Sequence, residues 1–247
     1  PPQRLMRFAV PVYTVGIALL VAVAMFGLVK KGARRWLNIG VVIQPSEIMK
    51  IALPLMLAWY FQNKDGKITW REYLKAFIIL AIPAALIMKQ PDLGTAILVA
   101  ATGFYVIFLA GLAWKAILIM FGCFAASLPL IWMLLHDYQR HRVLMLIDPS
   151  SDPLGKGFHI IQSVIAIGSG GITGKGWMQG TQGYLNFIPE RTTDFIFAVF
   201  GEEFGLVGNI VLLILYLLLI ARGFVITLRA STVFSRLLAG AITMMFF

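Results

Sequence analysis

The sequence is poor in charged residues, in cysteine and in histidine, and these shortages narrow the class of protein. Only 13% of the 247 residues are charged and 60% are hydrophobic, and the mean hydropathy is +0.86. A typical soluble domain has about a quarter of its residues charged. A water-soluble fold could not cover this much apolar surface, so the composition favours a lipid bilayer as the solvent.

The single cysteine, Cys123, lies in an apolar run and excludes a disulfide framework. The three histidines, His136, His141 and His159, do not have the spacing of a metal site. The chain also begins without an initiator Met or a signal-peptide pattern, and it ends inside an apolar run. We therefore interpret it as the central piece of a longer polytopic protein.

The basic residues outnumber the acidic ones without indicating a nucleic-acid partner. The formal net charge is +10, yet no basic run is long or interleaved in the way that nucleic-acid binding requires. In a membrane protein such an excess usually lies in loops that face anionic lipid.

Apolar runs of membrane-spanning length recur along the chain. A transmembrane helix needs about 17–25 apolar residues, and suitable runs lie at about 8–29, 47–62, 73–90, 94–113, 115–135 and 195–221. A further run begins near residue 233. The sequence therefore predicts an all-α polytopic integral membrane protein, with a single membrane domain over residues 1–247.

Most connections between the runs are short and polar, and the two exceptions are the segment "KKGARRWLNIGVVIQPSE" at 30–47 and the long segment 136–194. If the amino-terminal end is placed in the cytoplasm, the short inner loops hold more Lys and Arg than the short outer ones. This orientation predicts that segment 136–194 is a large extracytoplasmic loop. Inside it, the helical spacing of "GFHIIQSVIAIGSGG" predicts a short interfacial or re-entrant helix.

The long loop ends in "PERTTD", so that Asp194 stands directly before an apolar segment. One interpretation is an acid at a helix start, where it complements the helix dipole. The other is a partly desolvated carboxylate that acts as a general base. Its position at the membrane–water boundary would suit a substrate that is half lipid and half polar.

Two further carboxylates, Glu202 and Glu203, lie deeper in the same apolar segment, in the string "FGEEFG". Carboxylates inside a membrane are costly and are normally paired or protonated. An ion pair or hydrogen bond that fastens helices together is the favoured interpretation. A proton relay, as in a transporter, is the alternative.

A cluster of cations adjoins the start of the second span, in "KKGARRW" and "QPSEIMK". Glu47 and Lys50 are three residues apart, so they share a helical face and predict a local salt bridge. The neighbouring cations, Arg34 and Arg35 among them, lie on the outer side, against the positive-inside tendency. Binding of an anionic headgroup, phosphate or pyrophosphate would explain them. A solvated basic loop that touches lipid phosphates explains them about equally well.

Two further strings are candidates for polar sites. Asp92 in "KQPDLGT" predicts a helix N-cap. The string "GSGGITGKG" is not a P-loop, because Ser169 replaces the required first glycine and Gly176 follows Lys175. Its glycines still allow backbone N–H groups to approach an anion close to Lys175.

Four strings together resemble the SEDS family of membrane proteins. They cover almost the whole chain and read "GARRWLNIG…QPSEIMKIALPLM", "QPDLGTAILVA", "HDYQRHRVLMLIDPSSDPLGKGFHIIQSVIAIGSGGITGKGW" and "GTQGYLNFIPERTTDFIFAVFGEEFGLVG". The third string is closer to the RodA branch of this family than to the FtsW branch. The resemblance implies a SEDS-type bundle of ten transmembrane helices, of which this chain would be a fragment with about six to seven.

The resemblance also implies an activity and a location. The family contains peptidoglycan glycosyltransferases that polymerise lipid II, a lipid-linked disaccharide-pentapeptide, into glycan strands during cell elongation. They act on the outer face of the bacterial cytoplasmic (inner) membrane. Their partners are a class B penicillin-binding protein and other membrane proteins of the elongasome, and no nucleic acid is implied. No cofactor is implied either, and assistance by a divalent cation, Mg²⁺ or Mn²⁺, is left open.

The family's essential aspartate matches Asp194, which is therefore the expected catalytic base, and no metal ligand is expected. The boundary Glu and Lys of the family match Glu47 and Lys50. The expected substrate-binding residues are Glu47, Lys50, Arg34, Arg35, Asp92, Lys175, Glu190 and Arg191. Two other functions remain open: a lipid II transporter or flippase, favoured by the two deep carboxylates, and a membrane scaffold for cell-wall enzymes, favoured by the many spans.

Overall fold

The computed structural model describes residues 2–30, 33–38, 40–64, 68–135, 140, 143–144, 148, 156–184 and 192–247. The chain forms two compact units. The first unit consists of Pro1–Ile117 and Leu219–Phe247, and the second unit of Leu118–Leu218.

Helices dominate the described residues. They are α1 (Pro2–Phe26), α2 (Pro45–Gln62), α3 (Trp70–Lys89), α4 (Leu93–Leu109), α5 (Trp114–Leu134), α6 (Lys156–Ser169), α7 (Thr181–Tyr184), α8 (Ile196–Arg229) and α9 (Val233–Phe246). Each apolar run that the sequence predicts as a span overlaps one of these helices, and the predicted helix in the long loop is α6. The helical architecture is therefore confirmed.

Three of the helices in the described part of the chain are long and apolar enough to cross a membrane, as judged by length and composition. They are α1, most of α5 (Trp114–Met133) and α8. Shorter apolar helices include α4, α9 and most of α6.

The core of the first unit is built around α2, which packs against α1, α4 and α9. Met49, Leu53 and Leu57 of α2 are fully buried. They are four residues apart, so they form one continuous stripe along the helix. Phe234 and Leu237 of α9 belong to the same buried cluster.

A small antiparallel sheet precedes α2, in a connection for which the sequence analysis predicted no strand. Its strands are β1 (Leu28–Lys30), β2 (Ala33–Asn38) and β3 (Val42–Ile43), in the order β1-β2-β3. Gly40 lies between β2 and β3 with a φ of 95°, a conformation that glycine adopts readily. Strands this short contain too few residues to show a clear alternation of apolar and polar side chains. They are stabilised by pairing with a neighbour more than by local propensity, so the sequence gives little sign of them.

Helix α8 is interrupted at Gly205, about two and a half turns after it begins. Gly205 has φ 62° and ψ −159°, a backbone conformation that is essentially restricted to glycine. The interruption frees carbonyl groups on its amino-terminal side. Lys175 N donates to the carbonyl oxygen of Glu202 at 3.0 Å, and Gly176 N donates to that of Glu203 at 3.0 Å.

The same interruption frees amide groups on its carboxyl-terminal side, and the glycine-rich segment 170–176 accepts from them. Leu206 N donates to the carbonyl oxygen of Gly171 at 2.9 Å, and Val207 N donates to that of Ile172 at 3.0 Å. A break in a helix of membrane-spanning length therefore has its backbone groups paired with protein rather than left facing lipid.

We predict that Gly205→Ala destabilises the protein. An added Cβ would lie 2.3 Å from Gly174 N and 2.8 Å from the carbonyl oxygen of Ile172, and alanine rarely adopts this backbone conformation. The strain alone is expected to cost about 1–3 kcal/mol. Thermal unfolding in detergent should show a midpoint several degrees lower than that of the unaltered protein.

Gly122→Ala is the matched control, because a Cβ at Gly122 in α5 meets nothing within 4 Å. It should keep the original unfolding midpoint or raise it slightly, since alanine favours the helix. Equal midpoints for Gly205→Ala and Gly122→Ala would contradict the described role of the break.

Candidate functional site

Asp194 lies in the turn that directly precedes α8, in the second unit. The amides of Ala198 and Val199 donate to the carbonyl oxygen of Phe195 at 3.0 and 3.3 Å, so helical bonding begins one residue after Asp194. The Asp194 side chain is exposed rather than partly buried, which differs from the desolvated carboxylate of the sequence-based hypothesis. The acid is therefore fixed at the head of a helix and remains accessible.

Helix α6 contacts the start of α8 beside this turn. Ala166 of α6 and Ala198 of α8 are buried together, and Phe195 packs on them. The ring of His159 in α6 lies 6.3 Å from the ring of Phe195, measured between centroids. These contacts involve the residues on both sides of the helix start, so they restrict the backbone that carries Asp194.

Glu202 is fully buried and accepts hydrogen bonds from the glycine-rich region. Lys175 Nζ lies 2.6 Å from Glu202 Oε1, and Thr181 Oγ1 lies 3.1 Å from the same oxygen. The backbone amide of Gln182 donates to both carboxylate oxygens, at 3.1 and 3.2 Å. A charged group can be buried when it is paired and its remaining lone pairs are satisfied, as they are here.

The ammonium group of Lys175 is thus bound to a carboxylate inside the protein, although the sequence suggested that it would meet an external anion. It also donates to Thr181 Oγ1 at 2.8 Å, and 27% of its side chain is exposed. The favoured interpretation of Glu202, an ion pair that fastens structural elements together, agrees with this geometry. Glu203, the adjacent acid, is also buried.

A second group of candidate residues lies in the first unit, around Asp92. The Asp92 side chain accepts from Thr95 N at 3.4 Å, which is the N-cap that the sequence predicts for α4. Arg35 Nη1 lies 3.6 Å from Asp92 Oδ1, and Gln44 Nε2 donates to Asp92 Oδ2 at 3.3 Å. Arg35 also donates to the carbonyl oxygen of Pro91. These bonds join strand β2, the start of α2 and the α3–α4 turn.

Glu47 and Lys50 form the predicted salt bridge in the first turns of α2, with 2.8 Å between Lys50 Nζ and Glu47 Oε2. The Glu47 side chain is 55% exposed and that of Lys50 is 24% exposed, so the carboxylate faces outward and the lysine is partly buried. Arg34 is exposed on β2 and donates to the carbonyl oxygen of Ala24 at 3.3 Å. Cationic and anionic groups therefore line one end of the first unit.

The candidate residues fall into two groups that belong to different units. Arg34, Arg35, Glu47, Lys50 and Asp92 lie in the first unit, whereas Lys175 and Asp194 lie in the second.

Glu190 and Arg191 are outside the described residues, as are His136 and His141. Among the described residues, no group of three or more His, Cys, Asp or Glu side chains could hold a metal ion.

The sequence analysis missed three polar residues that contact these candidates, namely Gln44, Thr181 and Gln182. Gln44 stands directly before the proline that begins α2, a position where a polar side chain is expected. Nothing local distinguishes Thr181 and Gln182, because their partner Glu202 is some 20 residues away in the chain.

The whole chain, residues 1–247, matches the family model for FtsW, RodA and SpoVE, which is described as cell cycle protein. It is 52% identical over 249 residues to the peptidoglycan glycosyltransferase MrdB of Escherichia coli K12, covering 100% of this chain and 67% of that protein. It is 38% identical over 247 residues to a probable peptidoglycan glycosyltransferase FtsW of Geobacter metallireducens, covering 97% of this chain and 65% of that protein.

Two solved structures share the fold. A chain from a peptidoglycan synthase complex that coordinates polymerization and crosslinking matches with a TM-score of 0.78 and 37% identity, covering 98% of this chain and 68% of that one. The rod shape determining protein RodA of Thermus thermophilus matches with a TM-score of 0.65 and 29% identity, covering 98% of this chain and 64% of that one. Together with the apolar helices, these matches identify a multi-pass membrane protein, and the chain belongs to the FtsW/RodA/SpoVE family.

Proposed function

We propose that this protein is a peptidoglycan glycosyltransferase that polymerises lipid II into glycan strands, with Asp194 as the general base. Support comes from the family and from the names of its relatives, among them the glycosyltransferase MrdB. The observation that carries the assignment is the exposed carboxylate of Asp194 at the head of a helix of membrane-spanning length. A polar substrate group attached to a lipid would reach such a position from the membrane surface.

The reaction needs one proton acceptor and one anion site. A hydroxyl group of the acceptor sugar attacks the anomeric carbon of the donor, a new C–O bond forms, and the bond to the diphosphate breaks. Asp194 would take the hydroxyl proton, as a general base does in an inverting displacement at an anomeric carbon. The diphosphate is already a good leaving group, so cations that stabilise its charge can replace a general acid.

Several cations could hold the diphosphate, and their environments differ. Arg34 is exposed on β2, and Lys50 lies in the salt bridge with Glu47. Arg35 and Lys175 are paired with the buried carboxylates of Asp92 and Glu202, whereas the partner of Lys50 is the exposed carboxylate of Glu47. We therefore favour Arg34 and Lys50 as primary contacts.

The remaining candidate residues would orient the cations or add polar groups to the site. Glu47 and Asp92 would orient Lys50 and Arg35, and Lys175, Glu190 and Arg191 would contribute polar groups close to Asp194 in the sequence. A divalent cation, Mg²⁺ or Mn²⁺, would bind oxygen atoms of the diphosphate and help to neutralise its charge.

We further propose that the reaction takes place on the extracytoplasmic side of the bacterial inner membrane, together with a class B penicillin-binding protein. The distribution of Lys and Arg among the short loops supports this orientation. The structural likeness to a chain of a peptidoglycan synthase complex supports such a partner. Other membrane proteins of the elongasome would assemble with the same complex.

We predict that Asp194→Asn abolishes polymerisation while the protein still folds. The substitution keeps the volume of the side chain and removes the base, which typically contributes about 10²–10⁴-fold to the rate. The assay uses purified protein with its penicillin-binding partner and fluorescent lipid II, and glycan chains are separated by gel electrophoresis. Asp65→Asn is the control, because the loop charges predict that this acid lies on the cytoplasmic side, and it should polymerise normally.

Polymerisation by Asp194→Asn at the original rate would refute the assignment of the base. The same preparation also separates the other two functions. Movement of lipid II across liposome membranes without polymer would indicate a transporter, whereas neither polymer nor transport would indicate a scaffold.

We predict that Lys50→Gln raises the KM for lipid II about tenfold or more, because a charge-assisted contact to a phosphate contributes about 1.5–3 kcal/mol. Steady-state polymerisation at varied lipid II concentration measures this change. Lys115→Gln, at an exposed position in α5, should leave KM unchanged.

Removing Lys50 also leaves Glu47 without its partner, so the double variant Glu47→Gln/Lys50→Gln is needed. A high KM in the double variant would support a direct role of the cation. Recovery of the original KM there would show that the effect of Lys50→Gln came from the unpaired carboxylate.

A further inference from the structure

The amino-terminal segment of α8 (residues 196–204) connects two features of the second unit. Asp194 lies just before its first residue, and Glu202 lies in its last turn, before the break at Gly205. Eight residues separate Asp194 from Glu202, which corresponds to about 12 Å along a helix. A change in the position of one end of so short a rigid segment is therefore transmitted to the other end.

The end of the segment that carries Glu202 is bound to the glycine-rich region by side-chain and backbone bonds. The Glu202 carboxylate is paired with Lys175, at 2.6 Å, and the Lys175 amide donates to the Glu202 carbonyl oxygen at 3.0 Å. One lysine thus bonds to the side chain and to the main chain of the same glutamate.

Glycines at the crossing allow this close approach. A Cβ at Gly170 would lie 2.2 Å from the carbonyl oxygen of Gly201, and a Cβ at Gly174 would lie 2.1 Å from that of Glu203. A Cβ at Gly180 would lie 2.8 Å from Glu202 Oε2. The backbone of residues 201–203 therefore has room beside it only for glycine at positions 170 and 174, and Gly180 packs directly against the Glu202 carboxylate.

The burial of Glu202 makes the pair more than an ordinary surface salt bridge. Its exposed fraction is 0%, and a buried carboxylate that loses its partner is strongly destabilising. An apolar residue at this position would pack without the cost of burying a charge. A buried ion pair that is fully hydrogen-bonded favours one particular geometry, whatever it adds to stability.

We infer that the Lys175–Glu202 ion pair is a positioning pair for Asp194, which fixes the amino-terminal segment of α8 so that the catalytic base is held in its productive place. The inference rests on the proposed function of Asp194. Neither Lys175 nor Glu202 touches the reacting atoms in this account. Their effect reaches Asp194 through the helical segment, while the packing of α6 on Phe195 holds the other end.

The test compares Glu202→Gln, Lys175→Met, the double variant Lys175→Met/Glu202→Gln and the conservative variant Lys175→Arg. Steady-state polymerisation of lipid II gives kcat and KM, and hydrogen exchange measured by mass spectrometry follows the peptides that contain residues 171–176 and 206–207. The exchange measurement needs no catalytic activity.

For Glu202→Gln we expect kcat to fall about 10- to 100-fold with little change in KM, since small displacements of a catalytic group have effects of this size. The amides of Lys175, Gly176, Leu206 and Val207 should exchange faster, because their hydrogen bonds connect the glycine-rich segment to the two sides of the break. Lys175→Arg keeps the charge and should retain most of kcat. Lys175→Met leaves a buried unpaired carboxylate, so the double variant should unfold at a higher temperature than Lys175→Met.

Glu203→Gln is the matched control, because it removes the neighbouring buried carboxylate and leaves the ion pair intact. It should keep the original kcat, and the amides at the break should still exchange slowly. Equal effects of Glu203→Gln and Glu202→Gln would overturn the inference, and so would faster exchange in Glu202→Gln with an unchanged kcat. If Glu202→Gln does not fold, a kcat of Lys175→Arg as low as that of Asp194→Asn would overturn it.

Failure of this inference can be told apart from failure of the proposed function. Full activity of Asp194→Asn would refute the base itself, whatever the exchange data show. Full activity of Glu202→Gln together with an inactive Asp194→Asn would refute only the positioning pair.

Discussion

A helix that is interrupted within an apolar segment must have its free carbonyl and amide groups bonded by another part of the protein, because lipid offers them no partner. In this chain the interruption is at Gly205, and the partner is the glycine-rich segment 170–176. The arrangement of the second unit follows from that constraint. It brings Lys175 to Glu202, it requires glycines where the backbones cross, and it shortens the helical segment that follows Asp194.

Each unit carries groups of a kind that glycosyl transfer uses. The second unit provides an exposed carboxylate at the head of a long apolar helix, whereas the first unit provides cations on a strand and on the first turns of α2. A base and an anion site are the two requirements of a displacement in which a diphosphate leaves. The buried carboxylate of Glu202 accepts four hydrogen bonds from three donor groups of the protein, an environment that favours a structural role over proton transfer along a transport path.

The features that could be predicted from sequence are those that depend on nearby residues. The Asp92 N-cap and the Glu47–Lys50 pair involve positions three residues apart, and α6 follows from its apolar spacing. The short sheet was missed because its strands depend on pairing with each other. The Lys175–Glu202 pair was missed because 27 residues separate its members, and only the folded glycine-rich segment brings them together.

The central claim, that Asp194 accepts the proton of the attacking sugar hydroxyl, is tested most directly by an experimental structure of the protein bound to an acceptor glycan and a non-reactive analogue of lipid II. The account predicts an Asp194 carboxylate oxygen within about 2.6–3.2 Å of the acceptor hydroxyl, or connected to it through one water. A bound acceptor whose hydroxyl meets a different carboxylate, with Asp194 facing away from the glycan, would contradict it.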